Sequence, residues 1–307
     1  MTHDSIPPPR NSPALTRPDW FTVGRWWSEM PSAGPGLKRR IIGALLELRG
    51  LLRPPKEGRI CLVHTGRTGS TVLANMLRAH PELYWDDETL GRRTRWFLNQ
   101  NPDAYLGPRP AQSPVGEIAR RFWRARGTRF GFEVKPMHLM AFGLTDLTAT
   151  DRFFSRLGVT NRIGLVRRNL LRRLISSERF VDQGLAHMKT TSSSETRKPF
   201  ELSLDAMHSY AGKPLTLEEA LREAQAAAEV VPRLCGPDTL QLVYEDDIQD
   251  DPRVAYRKVV DHLGLTSTDP EVSLRRTNVG SLDDIVANAE AIRARLRGTE
   301  WAWMCEA

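Results

Sequence analysis

The segment Arg59-Ile60-Cys61-Leu62-Val63-His64-Thr65-Gly66-Arg67-Thr68-Gly69-Ser70-Thr71 narrows the possible folds more than any other stretch of the chain. Arg59 to His64 is a short apolar run, which reads as a buried strand. A glycine-containing turn follows. Ser70 to Ala79 then carries Val72, Leu73, Met76 and Leu77 on one side at helical spacing, and Pro81 stops the helix. A strand, a loop and a helix in that order open a parallel α/β sheet. Such a loop is a cradle for an anion on physical grounds. The helix N-terminus offers free backbone N–H groups and partial positive charge. Gly66 and Gly69 let the backbone come close to the ligand. Thr65 lies within the loop, Thr68, Ser70 and Thr71 add hydroxyls, and Arg67 adds a cation that can fork onto phosphate oxygens.

The remainder of the chain repeats the alternation. Strands are expected at 130–134, 162–166 and 240–244, and helices at 144–157, 169–181, 217–234, 252–263 and 282–296. The expected fold is therefore a single α/β domain, doubly wound, with a central parallel sheet flanked by helices. Residues 1–36 are rich in Pro and Ser and read as an arm. The domain is expected over 37–307. Its first stretch, 37–53, reads as a basic amphipathic helix with Ile41, Leu45, Leu46 and Leu48 on one face. It either packs on its own domain or meets a membrane surface. Residues 184–215 are polar and read as a mobile loop or an insertion on the acceptor side.

Composition removes some function classes. The three cysteines, Cys61, Cys235 and Cys305, show neither a disulfide framework nor metal-ligand spacing. No stretch approaches the ~18 apolar residues of a membrane span, and the N-terminus lacks the apolar core of a signal peptide. A cytoplasmic location, free or peripheral to the membrane, is the expectation. The net charge of +7 fits an anionic partner without choosing one.

The Walker A loop of nucleotide triphosphatases needs G-x-x-x-x-G-K-[ST]. Here only two residues separate Gly66 from Gly69 and no Lys follows. A nucleotide kinase is disfavoured on that spacing. A second junction of the same kind lies at Leu165-Val166-Arg167-Arg168-Asn169, again an apolar run before a helix, with Ser176 eight positions after Arg168. Positions eight apart return to nearly one helical face, so Arg168 and Ser176 are expected to reach one phosphate together. Arg167, Arg172 and Arg173 read as solvated charges at the helix start. A nucleic-acid binder would spread its arginines along one face among aromatics, whereas Arg67 and Arg168 sit at strand–helix junctions; no nucleic-acid partner is expected.

Arg67-Thr68-Gly69-Ser70-Thr71 resembles the 5′-phosphosulfate loop, [K/R]-[ST]-G-[ST]-[ST], of sulfotransferases that use 3′-phosphoadenosine 5′-phosphosulfate (PAPS). The Arg form, and the stretch Arg78-Ala79-His80-Pro81-Glu82-Leu83 after it, are similar to the carbohydrate and tyrosine branches. Arg168-Asn169 with Ser176 resembles the family's 3′-phosphate motif. Tyr244-Glu245-Asp246-Asp247-Ile248 looks like its Y-E-D-L segment, taken as mainly structural. The tail from Arg275 to Asn288 resembles bacterial carbohydrate sulfotransferases, nodulation-factor enzymes being the nearest named. The resemblance implies a P-loop-like sulfotransferase fold, PAPS as donor with adenosine 3′,5′-bisphosphate (PAP) as product, no metal, and a hydroxyl-bearing small molecule, glycan or glycolipid as acceptor. A phenol, an alcohol or a peptide tyrosine is the alternative acceptor. It also implies that Arg275 or Arg276 closes over the 3′-phosphate.

Sulfuryl transfer needs a base for the acceptor hydroxyl, and a carboxylate or His close to the donor suits it. Asp86-Asp87-Glu88-Thr89 follows the apolar segment Leu83-Tyr84-Trp85, whose carboxyl end is expected beside the first loop. The stretch resembles the Glu-Glu-Thr of tyrosine sulfotransferases, which makes Glu88 the base. The competing reading of these acids is a helix cap. His138 is the rival base. Arg67 is expected to stabilise the leaving phosphate. His64 reads either as a donor contact or as a packed strand end, and Lys135 as a contact to the acceptor or the sulfuryl group.

Overall fold

The computed structural model describes residues 58–91, 114–125, 127–144, 146–183, 188–189, 198–208, 214–275 and 279–306, together with Leu45. The arm over 1–36, the stretch over 37–53 apart from Leu45, and Arg276 lie outside the described residues.

Five parallel strands form the sheet: β1 (Arg59–His64), β2 (Leu83–Asp86), β3 (Arg129–Val134), β4 (Val159–Val166) and β6 (Leu240–Val243). Their order is β2-β3-β1-β4-β6, with every neighbouring pair parallel. A two-residue strand β5 (Met188–Lys189) pairs antiparallel with β7 (Leu274–Arg275) apart from this sheet. β1 is the central strand and is buried along its whole length. Its side chains alternate between the faces, as a strand with period two must. Ile60 and Leu62 join α1 (Ser70–Ala79) and α8 (Arg253–Leu263) in one core. Cys61 and Val63 join α2 (Pro114–Ala119), α4 (Leu147–Arg156) and the end of α6 (Leu217–Cys235) in the other. Burial on both faces explains why β1 reads as a continuous apolar run.

A third core packs α5 (Leu170–Gln183) and the first half of α6 against α9 (Leu282–Ile285), α10 (Ala289–Leu296) and Trp301. From β1 the chain builds one flank (β2, β3) and then returns past β1 to build the other (β4, β6). The change of direction falls at β1, and the crevice at its carboxyl end is where such sheets bind ligands.

Four expectations change in detail. The helix expected over 144–157 starts at Leu147 because the Asp146 carboxylate accepts the Ala149 N–H at 2.7 Å. The strand expected over 240–244 ends at Val243. There the Asp247 carboxylate accepts the Val243 N–H at 2.7 Å and turns the chain into the short helix α7 (Tyr244–Asp247). The helix expected over 282–296 is two helices. Val286 adopts an extended conformation and bridges to Phe200, while Asn288 exchanges hydrogen bonds with the backbone of Leu202 at 3.0 and 2.8 Å. That contact also corrects the mobile-loop reading for 198–208, where Leu202 and Met207 are fully buried in the third core; 184–187, 190–197 and 209–213 lie outside the described residues.

Asp247 is buried, and its second oxygen takes the Lys258 ammonium at 2.6 Å. Asp247→Ala should lower stability in urea unfolding by roughly 1–3 kcal/mol, the cost of a buried N–H left without its acceptor. Nucleotide binding by the folded fraction should not change.

Candidate active site

The loop between β1 and α1 has an uncommon backbone. Gly66 and Gly69 both take φ 79°, and Arg67 takes φ 56°, the one non-glycine residue with positive φ among the described residues. Gly69 is the N-cap of α1 and has no side chain with which to cap it. A Cβ on Gly69 would stand 2.7 Å from Ile248 and 3.1 Å from Tyr244, so the position requires glycine on two counts. Left-handed turns of this kind point successive N–H groups to one side as an anion-binding nest. The carbonyls must then point to the other side and need donors there.

Arginines supply those donors. Arg173, buried on α5, donates Nε–H to the Gly66 carbonyl at 3.2 Å and a terminal N–H to the Thr65 carbonyl at 2.9 Å. Arg167 donates to the Arg67 carbonyl at 3.3 Å while its guanidinium lies 4.3 Å from the centre of the Tyr244 ring. Arg172 is buried as well. The reading of Arg167, Arg172 and Arg173 as solvated charges is therefore wrong. A cue was present in sequence: Arg172 and Arg173 lie between Leu170-Leu171 and Leu174-Ile175, all buried in the third core, so that turn of the helix has no solvated side.

Two hydroxyls in the loop have no partner. Thr68 is fully buried and Thr65 nearly so, and neither Oγ1 makes a hydrogen bond. Buried orphan hydroxyls are rare because each costs desolvation free energy. Here both stand beside an uncapped helix N-terminus, a combination suited to phosphate oxygens. Ser70 is buried at the first position of α1, and Thr71 follows it half-buried.

Ser176 and Arg168 are placed differently from expectation. Arg67 donates Nε–H to Ser176 Oγ at 2.9 Å, so the structure joins Ser176 to the first motif. Arg168 precedes the first residue of α5 and its side chain is 55% exposed; it pairs with Asp246. Glu245 accepts the N–H groups of Arg168 and Asn169 at 3.0 and 2.9 Å and so caps α5. This gives the Tyr244–Asp247 segment its structural role. For an anion it leaves the side chains of Arg168 and Ser176 rather than the end of α5. Phe180, one turn beyond Ser176, is exposed, and the Arg67 guanidinium lies 5.7 Å from its ring centre.

The three consecutive acids have three different environments. β2 is not beside β1, because β3 lies between them. Asp86, at the end of β2, takes the Thr89 hydroxyl and, on both oxygens, one Arg121 nitrogen at 3.2 Å, which ties it to its own turn without accepting a helix N–H. Asp87 pairs with Arg78 at the surface. Glu88 alone reaches across the end of β3. Its Oε2 is 2.8 Å from Lys135 Nζ and its Oε1 is 3.9 Å from His64 Nε2. Lys135 in turn lies along Gly66, whose missing side chain leaves only 3.1 Å between a Cβ and Lys135 Cε. Burial pushes the Glu88 carboxyl up, but Lys135, His64 and His138 together outweigh it and hold the group well below the usual carboxylate range.

His138 is the third residue of α3 (Pro136–Ala141) and is buried. Its Nδ1 accepts the Lys135 N–H at 3.4 Å, which makes it a helix-capping side chain. It packs with Glu88 against Gly91, where a Cβ would meet His138 Cε1 at 2.7 Å and Glu88 Oε2 at 3.0 Å. His64, fully buried, accepts the Gly66 N–H on Nδ1 at 3.1 Å and so locks the first turn of the loop.

No family model matches the sequence, and no curated protein matches it. Among solved structures, a sulfotransferase from Alicyclobacillus acidocaldarius overlaps with a TM-score of 0.47 at 14% identity, over 82% of this chain and 93% of that one. Sulfotransferase STF1 from Mycobacterium tuberculosis H37Rv overlaps with a TM-score of 0.36 at 15% identity, over 75% of each chain. Both overlaps are too loose to argue from, and the chemistry has to come from the side chains.

Thr68→Val keeps the shape of Thr68 and deletes its orphan hydroxyl. The ligand-free protein should become more stable, by about 1 kcal/mol, because a buried unsatisfied group is removed. Affinity for PAP should fall about tenfold, the value of one hydrogen bond to a charged group. Thermal unfolding and calorimetry on the same preparation read the two opposed effects.

Proposed function

We propose that this protein is a sulfotransferase that moves a sulfuryl group from PAPS to an acceptor hydroxyl, with a carbohydrate or glycolipid as the favoured acceptor. The observation that carries the reading is the nest at Thr65–Thr71, with its two orphan hydroxyls and uncapped helix, facing an acid–base pair, Glu88 and Lys135. The sequence resemblance adds the donor's identity. A phenol, alcohol or peptide tyrosine is the second acceptor class, and exposed Phe180 beside Arg67 favours an acceptor with a ring to stack.

In this reading Thr65, Gly66, Arg67, Thr68, Gly69, Ser70 and Thr71 hold the 5′ end of the donor. Arg168 and Ser176 hold the 3′-phosphate, and Arg276 is assigned to the same group from the resemblance. The Arg168–Asp246 pair is exposed, and pairs of that kind are worth about 0–1 kcal/mol, so a phosphate can displace the carboxylate at little cost. The bound donor supplies the sulfuryl group, and its phosphate gains negative charge as that group leaves. Arg67 and the N–H groups of the nest face that charge. Glu88 takes the proton from the acceptor hydroxyl. As it does so its hold on Lys135 weakens, and the ammonium remains as an uncompensated cation beside Gly66. His138, occupied as a helix cap, is the rival base with the weaker geometric case. The cations of the protein are sufficient for the charge that develops, so turnover is expected without added metal.

Calorimetry with PAP should show clear binding without metal and much weaker binding of AMP; equal affinity for the two would remove the 3′-phosphate assignment. Arg168→Ala should weaken PAP binding by tenfold or more. Glu88→Gln should bind PAP normally and lose at least a hundredfold in turnover, followed as sulfate mass gain on a panel of glycan, glycolipid and phenolic acceptors. Undiminished turnover would place the base elsewhere.

A further inference from the structure

Glu133 is a carboxylate in the sheet's interior that the proposed reaction does not use. It is the fifth residue of β3, is 4% exposed, and pairs in register with Leu62 of β1. One oxygen accepts the Trp85 indole N–H at 3.2 Å. The other lies 3.2 Å from His64 Nε2, off the line of a good hydrogen bond. On its far side the same Nε2 faces Glu88 Oε1 at 3.9 Å. His64 Nε2, Glu88 and Glu133 thus converge within 4.8 Å, a spacing that would also suit a metal ion.

The other nitrogen of the ring decides between a proton and a metal. His64 Nδ1 accepts the Gly66 N–H at 3.1 Å, so its lone pair is used. In a neutral imidazole the proton is then on Nε2. An imidazole that binds metal through Nε2 donates an N–H from Nδ1 to its surroundings, the reverse of what is found here. The atom between Glu133 and Glu88 is therefore an N–H donor, fixed in that tautomer by the backbone of the anion loop.

We propose that Glu133 and His64 are positioning residues for Glu88: the Nε2–H of His64, shared between the two carboxylates, sets how strongly Glu88 holds a proton. The proposal rests on the reading of Glu88 as the base. Lys135 at 2.8 Å and His138 at Gly91 draw Glu88 toward the ionised, weakly basic state. Glu133 opposes them, since a second negative charge nearby favours protonation. It also lies nearer to His64 Nε2 than Glu88 does, 3.2 against 3.9 Å. The Cys61 thiol belongs to the core on the opposite face of the sheet, and burial pushes it well above its usual range. Without Glu133 the N–H is free to turn to Glu88, and the base becomes weaker still.

Two variants should move the acidic limb of the kcat profile in opposite directions. Glu133→Gln removes the opposing charge, so the limb should move to lower pH by half a unit or more, with kcat lower by about threefold and PAP affinity within threefold of the parent. His64→Asn keeps an acceptor for the Gly66 N–H but deletes the Nε2–H, so its limb should move to higher pH. If kcat falls in both and neither limb moves, the pair is merely structural and the proposal is overturned. Nitrogen-15 NMR of the ligand-free protein tests the premise without any activity. The Nε2–H tautomer of His64 is expected, and an Nδ1–H tautomer would overturn the proposal. Failure of the parent protein to bind PAP would instead sink the sulfotransferase reading, while the tautomer measurement would still stand.

Discussion

The grip of Arg173 on the carbonyls of Thr65 and Gly66 is the interaction on which the rest of the site depends. A loop that turns its N–H groups outward must turn its carbonyls inward, and buried carbonyls without donors cost about 1–3 kcal/mol each. Arg173 and Arg167 meet three consecutive carbonyls, those of Thr65, Gly66 and Arg67. The positive φ values at Gly66, Arg67 and Gly69 are sustained by this support from beneath. A planar guanidinium can donate to two carbonyls at once in fixed geometry, which an ammonium cannot. The same α5 carries Ser176, which holds Arg67. One helix therefore sets both the backbone of the nest and the side chain aimed across it.

This dependence explains what was legible in the sequence. The alternation of strands and helices, the central buried strand and the nest were readable because each is a local pattern: period two, helical spacing, and glycine between them. The braces were not. Arg173 lies 107 residues from Gly66 and Ser176 lies 109 residues from Arg67, and no local pattern reports a partner at such range. Spacing along one helix put Ser176 with Arg168. The fold also places Ser176 against the neighbouring loop, and Glu245 fills the end of α5 that a phosphate motif would be expected to leave open. The glycines at 286–288 that would announce a broken helix are missing too, since the break is imposed by Phe200 and Leu202 from another part of the chain.

Asp86, Asp87 and Glu88 make the same point at the scale of single residues. In sequence they are one acidic cluster, open to two readings. In the fold the three separate. Asp86 ends β2 on its buried side and takes the Thr89 hydroxyl, Asp87 faces solvent and Arg78, and Glu88 crosses the end of β3 to Lys135. The strand between β2 and β1 is what makes the distance to the loop long enough for the third acid and too long for the first.

Placing a carboxylate, an ammonium and an imidazole together under an anion nest creates an electrostatic conflict. The cations that attract a phosphate also make Glu88 a poor base. Glu133 and Glu88 bring two carboxylates to the one ammonium of Lys135, with the Nε2 edge of His64 between them. Low local dielectric makes such an imbalance costly to hold and favourable to relieve. A proton arriving from an acceptor hydroxyl relieves it. In the proposed reaction the proton affinity would arise from the cluster as a whole and not from Glu88 alone, and the loop that would hold the donor fixes the imidazole of that cluster through the N–H of Gly66.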